Sequence, residues 1–160
     1  MALVVSDTSP VRALDHLGLV DLLGVLFAEV VVPPAVESEL GQPRPRFRPV
    51  RITDYPFVRV QAPANLTDVT ALSASFGPGE SEAIVLAAEL GAELLMDEAA
   101  GRAEAQRRGL RRVGVVGVLI RAKQRGLVPA VLPLAERLRD ELGFYLSPPF
   151  VLDIRRLTGE

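Results

Sequence analysis

The stretch Gly77–Glu98, GPGESEAIVLAAELGAELLMDE, constrains the fold more than any other part of the chain. It opens with the turn Gly77-Pro78-Gly79 and runs through an apolar helical segment headed by Glu80 and Glu82. After Gly91 it enters the short apolar run Leu94-Leu95-Met96, which stops at Asp97-Glu98. Acids therefore stand at the start of a buried helix and at the end of a buried strand. A buried carboxylate is costly unless something cationic answers it. The rest of the chain has to supply that answer.

The same pattern recurs earlier. Ala2-Leu3-Val4-Val5 is a continuous apolar run, as in a strand covered on both faces, and it leads into Ser6-Asp7-Thr8-Ser9-Pro10, a helix-start signal. Leucines from Leu14 to Leu26 follow at helical spacing. Val30-Val31-Val32 reads as a second strand, and Pro33-Pro34 opens a helix through Leu40. Gln42–Ala64, rich in proline and arginine, reads as an irregular crossover with Val58–Val60 as an edge strand. Asn65-Leu66-Thr67 begins a short helix ending near Gly77. Ala99–Arg108 predicts a helix, Arg112–Val115 a strand, Gly117–Arg125 a helix, Pro133–Leu142 a last helix and Phe144–Leu146 a final strand. Strands alternating with helices predict an α/β fold with a mainly parallel sheet, as one domain over residues 1–150 and a C-terminal tail over 151–160.

Composition narrows the function. In 160 residues, 49% apolar, there is no cysteine, so neither disulfides nor a thiolate metal site can form. No apolar run reaches transmembrane length, and the first strand lacks the form of a secretory signal, so a cytoplasmic protein without a membrane partner is expected. The net charge of -2 announces no polyanionic partner, but eight of the eighteen basic residues lie between Arg102 and Arg125, where Glu104 is the one acid. His16 reads as a surface residue. Neither a dinucleotide nor a P-loop fingerprint occurs.

In a parallel sheet the site lies beyond the carboxyl ends of the strands. Asp7 ends one strand and Asp97-Glu98 another. Asp7 could equally cap the helix that follows, although Ser9 serves that role as well. At about 100° per residue, Glu80 shares the buried face of Ile84, Ala87 and Ala88, whereas Glu82 falls opposite and reads as solvated. Periodicity does not separate Glu37 from Glu39. Crowded carboxylates repel one another unless a divalent cation joins them, and an oxygen-only donor set selects Mg²⁺ or Mn²⁺. Such sites suit phosphodiester hydrolysis. A phosphatase with Asp7 as nucleophile would want a second Asp where Ser9 stands.

These residues also carry a resemblance. Val4-Val5-Ser6-Asp7-Thr8-Ser9, Val31–Leu40, Gly77–Ile84, Leu94–Glu98 with Arg102, and Gly114–Leu119 with Ala122-Lys123 and Gly126-Leu127 resemble, in order and spacing, prokaryotic PIN-domain proteins related to VapC-type ribonuclease toxins. The resemblance implies a Rossmann-like three-layer α/β/α sandwich and a Mg²⁺- or Mn²⁺-dependent ribonuclease. It implies Asp7, Glu39, Glu80 and Asp97 as catalytic metal ligands and Glu98 as an alternative or additional one. Thr8, Ser9 and Arg102 would orient them. The register departs from many PIN nucleases, with Met96 and Glu98 where Thr and a second Asp are common. RNA contacts are expected from Arg107, Arg108, Arg111 and Arg112 and from the Arg44–Arg51 loop. An antitoxin partner follows from the resemblance, and a homodimer from it together with the leucine-rich first helix. The rival expectation is a non-catalytic module that binds RNA or protein.

Overall fold

The structure, a computed structural model, describes residues 2–160. The apolar runs form the strands β1 (Leu3–Ser6), β2 (Glu29–Val32), β3 (Val58–Val60), β4 (Glu93–Leu95) and β5 (Arg112–Val113). They make one all-parallel sheet in the order β3-β2-β1-β4-β5. Val4, Val5, Val30, Val31, Leu94 and Leu95 are fully buried, which is why these strands carry no polar alternation. Helices flank the sheet, as the three-layer α/β class requires.

The chain sorts into two compact units, ending and beginning at Gly114 and Val115. The first holds the whole sheet together with α1 (Thr8–Leu17), α2 (Leu22–Leu26), α3 (Pro34–Leu40), α4 (Leu66–Leu72), α5 (Pro78–Leu90) and α6 (Ala99–Arg107). A short 3₁₀ turn covers Ile52–Asp54. Asn65 caps α4 by accepting from the Asp68 N–H at 3.0 Å. Strand order reverses between β1 and β4: the chain builds β2 and β3 on one side of β1, then crosses to build β4 and β5 on the other. The carboxyl ends of β1 and β4 are neighbours, tied by the Asp7 N–H to the Leu95 carbonyl at 3.0 Å. A crevice opens at such a switch point because the two connecting helices depart in opposite directions.

The second unit holds α7 (Val115–Gln124), α8 (Leu132–Leu142) and α9 (Pro148–Thr158). Two expectations are corrected here. Phe144–Leu146 forms no strand and leaves Tyr145 87% exposed, and the expected tail 151–160 lies largely within α9. The physical reason is local. Ser147 accepts from the Phe150 N–H at 3.2 Å, and Pro148-Pro149 fill the first helical positions, where no N–H is needed. The Glu160 carboxylate accepts from the N–H groups of Val131 (2.8 Å) and Leu132 (2.9 Å) and pairs with Lys123 at 3.0 Å. Desolvation pushes this carboxyl up, but those donors outweigh it and hold it down at about 2. Val115 starts α7 rather than ending β5.

Leu14 and Leu23 of the leucine-rich segment are fully buried and Leu22 nearly so, leaving Val25 exposed. Leu17, Leu19 and Leu26 of the same segment are partly exposed. No helix among the described residues is long and apolar enough to cross a membrane.

Candidate active site: an acidic cleft at the switch point

Asp7 follows the last residue of β1, and its side chain is almost wholly out of water, with 3% of the residue exposed. It occupies the N-cap position of α1 but makes no capping bond, so the capping role considered for it is not the one it plays. Burial pushes its carboxyl up to about 7, opposed by the Thr8 N–H and reinforced by the negative charges of Glu80, Glu39 and Glu98. All four carboxylates line one open cleft of about 380 Å³.

Each arrives from a different element. Glu39 comes from the last turn of α3 and is held from two sides. Thr8 Oγ1 donates to its Oε2 at 2.5 Å, and the Gly79 N–H, at the start of α5, donates to its Oε1 at 3.1 Å. The positive end of α5 favours an anion there. A Cβ on Gly79 would stand 2.7 Å from Glu39 Oε2, so only glycine admits this approach. The tie between Glu37 and Glu39 is thus broken in favour of Glu39, which lines the cleft, while Glu37 borders a separate depression with Val50 and Ile52.

Glu80 sits in the first turn of α5 and reaches back to the Gly77 N–H, half of a capping box. Desolvation, then the charges of Glu98 and Glu39, push its carboxyl up. The helical geometry that aimed Glu80 inward agrees with its place in the cleft. Glu82, expected in solvent, instead accepts from the Ala35 N–H at 3.1 Å and so caps α3 from a neighbouring helix. The cap crosses 47 residues of sequence, which no local pattern announces. Glu82→Ala should cost about 1 kcal/mol, as lost caps generally do, seen as a lower thermal midpoint.

At the end of β4 the two adjacent acids part. Glu98 is exposed and lines the cleft; Asp97 does not. Asp97 instead lies over Gly114, where a Cβ would meet its Oδ1 at 2.6 Å and Arg102 Nη1 at 3.0 Å. The structure therefore gathers Asp7, Thr8, Ser9, Glu39, Glu80 and Glu98, and sets Asp97 and Arg102 aside together.

The expected RNA-contacting arginines are corrected by the lining of the cleft. Leu94 pairs with Arg112 in a parallel ladder, so Arg111 and Arg112 lie at the start of the two-residue β5, and none of Arg107, Arg108, Arg111 and Arg112 lines the cleft. The nine residues of α6 span roughly 13 Å at 1.5 Å per residue. Arg107 and Arg108 both pair with Glu104. Arg108 also grips Asp68 of α4 through two bonds of 2.8 and 2.9 Å. The cations that do line the cleft are Arg12 and Arg44. Arg44 belongs to the expected Arg44–Arg51 loop. Arg12 was missed because an arginine between Val11 and Ala13 reads as the solvated face of a helix.

The carboxylate donors suit a hard divalent cation, which would relieve the repulsion that raises Asp7 and Glu80. Among the described residues no three of these acids are close enough to grip one ion together. Mg²⁺ keeps several waters and takes only one or two carboxylates directly, and the donor set fits that mode.

A parallel α/β sheet with carboxylates gathered at its switch point defines the class in which metal-dependent phosphodiester nucleases are found. A family model for the PIN domain matches residues 3–160, and the chain belongs to the PIN-domain family. PIN domains are a nuclease-type fold that typically uses divalent metal ions. No curated protein matches the chain.

Proposed function

We propose that the protein is a metal-dependent endoribonuclease. The observation that carries this reading is Asp7: a carboxyl buried at the end of β1, pushed up to about 7, and facing three further carboxylates across one open cleft. Such an arrangement opposes folding unless it serves a charge brought from outside. Asp7, Glu39, Glu80 and Glu98 would hold Mg²⁺ or Mn²⁺. The ion supplies Lewis acidity, lowering the pKa of water and offsetting charge on the attacked phosphate. Thr8 fixes the rotamer of Glu39 by its hydrogen bond, and Ser9 lines the same wall. Glu98, exposed and least constrained, is the acid free to turn towards substrate. Asp97 keeps the Gly114 corner closed and is not needed as a ligand in this scheme. A toxin role, with an antitoxin covering the cleft, belongs to the same proposal and rests on the family resemblance, as does a homodimeric assembly together with the leucine-rich first helix.

The test is cleavage of a labelled single-stranded RNA with Mn²⁺ and with excess chelator. Expected are metal-dependent products bearing 5′-phosphate and 3′-hydroxyl ends, and at least a tenfold slower reaction for Glu80→Gln. Cleavage that survives chelation would overturn the reading.

One observation favours a second reading, a non-catalytic RNA- or protein-binding module: Glu39 is already satisfied by Thr8 and Gly79, and among the described residues no three acids are grouped to hold one metal ion. Calorimetric titration with Mn²⁺ separates the two. Absence of binding at millimolar metal supports the module.

A further inference from the structure

The cleft is not uniformly acidic. Its lining also includes Arg12, Arg44 and Phe47. Arg12, on α1, is 94% removed from solvent. One guanidinium nitrogen, Nη2, donates to the main-chain carbonyls of Glu39 (2.5 Å) and Gln42 (3.0 Å). The guanidinium carbon lies 5.3 Å from the centre of the Phe47 ring, in a cation–π contact. The second nitrogen, Nη1, is also buried and has no hydrogen-bond partner among the described residues. A buried donor left unmet costs on the order of 1–3 kcal/mol and calls for an external acceptor.

The loop that brings Arg44 and Phe47 to this wall is fixed, not draped. Arg44 and Phe47 bond to each other through both backbone N–H groups, at 3.2 and 3.0 Å, around Pro45-Arg46. Arg46 sits in the left-handed region at φ 72°, where glycine is usual, so the turn carries strain in order to close. Arg48 clamps the loop to α1 through Asp15 by two bonds of 3.0 and 2.9 Å, and the Val50 N–H ties it to the Leu40 carbonyl at 2.7 Å. Arg44 itself is exposed at the cleft mouth. Arg12 and Arg44 repel each other, and the effect lowers the proton affinity of Arg12 after burial has already done so. An anion seated between them would end both penalties.

We infer that Arg12 and Arg44, with Phe47 screening Arg12 from water, form a seat for a backbone phosphate of single-stranded RNA next to the one held at the carboxylates. The proposal rests on the ribonuclease reading only for the identity of the polyanion. Arg12 Nη1, buried, and the exposed Arg44 guanidinium offer charged donors that phosphate oxygens accept. The same Arg12 holds the Glu39 main chain, so the seat and the acidic end are one rigid piece.

The experiment is fluorescence anisotropy of a labelled eight-nucleotide oligouridylate with the full chain, in chelator so that no cleavage occurs, across a salt series. Arg44→Gln should weaken binding about tenfold and flatten the log–log salt dependence by about 0.7, the loss of one single-strand phosphate contact. Arg112→Gln, which does not line the cleft, should leave both unchanged. Arg12→Lys, checked for folding by circular dichroism, should weaken binding while keeping the charge. Wild-type affinity and slope in Arg44→Gln overturn the seat, as does an equal loss in Arg112→Gln. The nuclease reading fails separately: the binding pattern without metal-dependent cleavage removes that reading and keeps the seat, and cleavage with an unchanged Arg44→Gln does the reverse.

Discussion

Asp7→Asn is expected to abolish cleavage and yet stabilise the metal-free protein at neutral pH. The folded carboxyl is raised from 3.8 to about 7. The folded state therefore holds a proton that the unfolded chain releases. The sign follows: Asp7 adds stability that is fully present below about pH 4 and is lost as pH rises through 7. Above pH 7 both states are ionised, and the buried charge counts against the fold. At about 1.4 kcal/mol per unit the difference approaches 4 kcal/mol, and the new amide, itself needing partners, reduces the gain from substitution to roughly 2–4 kcal/mol. Denaturant titrations of both proteins from pH 4 to 8 in chelator should show the gap opening with pH. Added Mn²⁺ at a hundred times its dissociation constant should return about 2.7 kcal/mol to the wild type and little to Asp7→Asn. Cleavage by Asp7→Asn should fall by on the order of a hundredfold or more, beyond the 10–100-fold typical of residues that only orient a ligand. Equal pH profiles for the two proteins would mean that Asp7 is not held in the raised state.

Gly79→Ala is expected to separate the site from the fold. The new methyl would stand 2.7 to 3.0 Å from Glu39 Oε2, Oε1 and Cδ. What it strikes is the end of a flexible side chain, which can move aside without disturbing backbone. Alanine also suits the first turn of α5 better than glycine, by up to about 1 kcal/mol. The thermal midpoint should therefore hold or rise slightly. The Glu39 carboxylate, displaced from the Gly79 N–H and from Thr8, should no longer meet its partners. Mn²⁺ affinity and cleavage rate should fall about 10–100-fold, close to the values for Glu39→Gln. Intact activity in a well-folded Gly79→Ala would remove Glu39 from the site. A large loss of stability would instead show that the carboxylate is a structural keystone of the α3–α5 contact.

Several features of this molecule are written in short windows of sequence. Continuous apolar runs of three or four residues announced β1, β2 and β4, because strands buried on both faces have no polar side to alternate with. Helical period put Glu80 on the face of Ile84 and Ala87, which are buried, but also of Ala88, which is exposed, in a helix buried on most sides. Asn65 announced the cap of α4. The resemblance placed Glu39, and the family match over residues 3–160 agrees with the family it named. The last helix was legible too, in Ser147-Pro148-Pro149, but hydrophobic spacing drew attention to Phe144–Leu146 instead.

Other features were decided only in three dimensions. Glu82 caps α3 and Arg108 binds Asp68 across 47 and 40 residues, distances over which no periodicity operates. The arginine-rich segment looked like an RNA surface because clustering in sequence suggests clustering in space. None of Arg107, Arg108, Arg111 and Arg112 lines the acidic cleft, whose cations are Arg12 and Arg44. Arg12 was hidden because its burial depends on a loop more than thirty residues away, closing Phe47 over it.

The stretch from Gly77 to Glu98 shows the division most clearly. By itself the sequence determined that it is a buried helix followed by a buried strand, with acids at both ends, because burial leaves its mark residue by residue. It left Asp97 and Glu98 equivalent. The tertiary structure separated them, turning Glu98 to the cleft and Asp97 onto Gly114. The reason is physical: both acids lie beyond the last residue of β4, with Glu98 at the N-cap of α6, so which of them faces the site depends on the neighbouring strand and on where α6 starts. β1 and β4 meet through a connection that only the complete sheet defines.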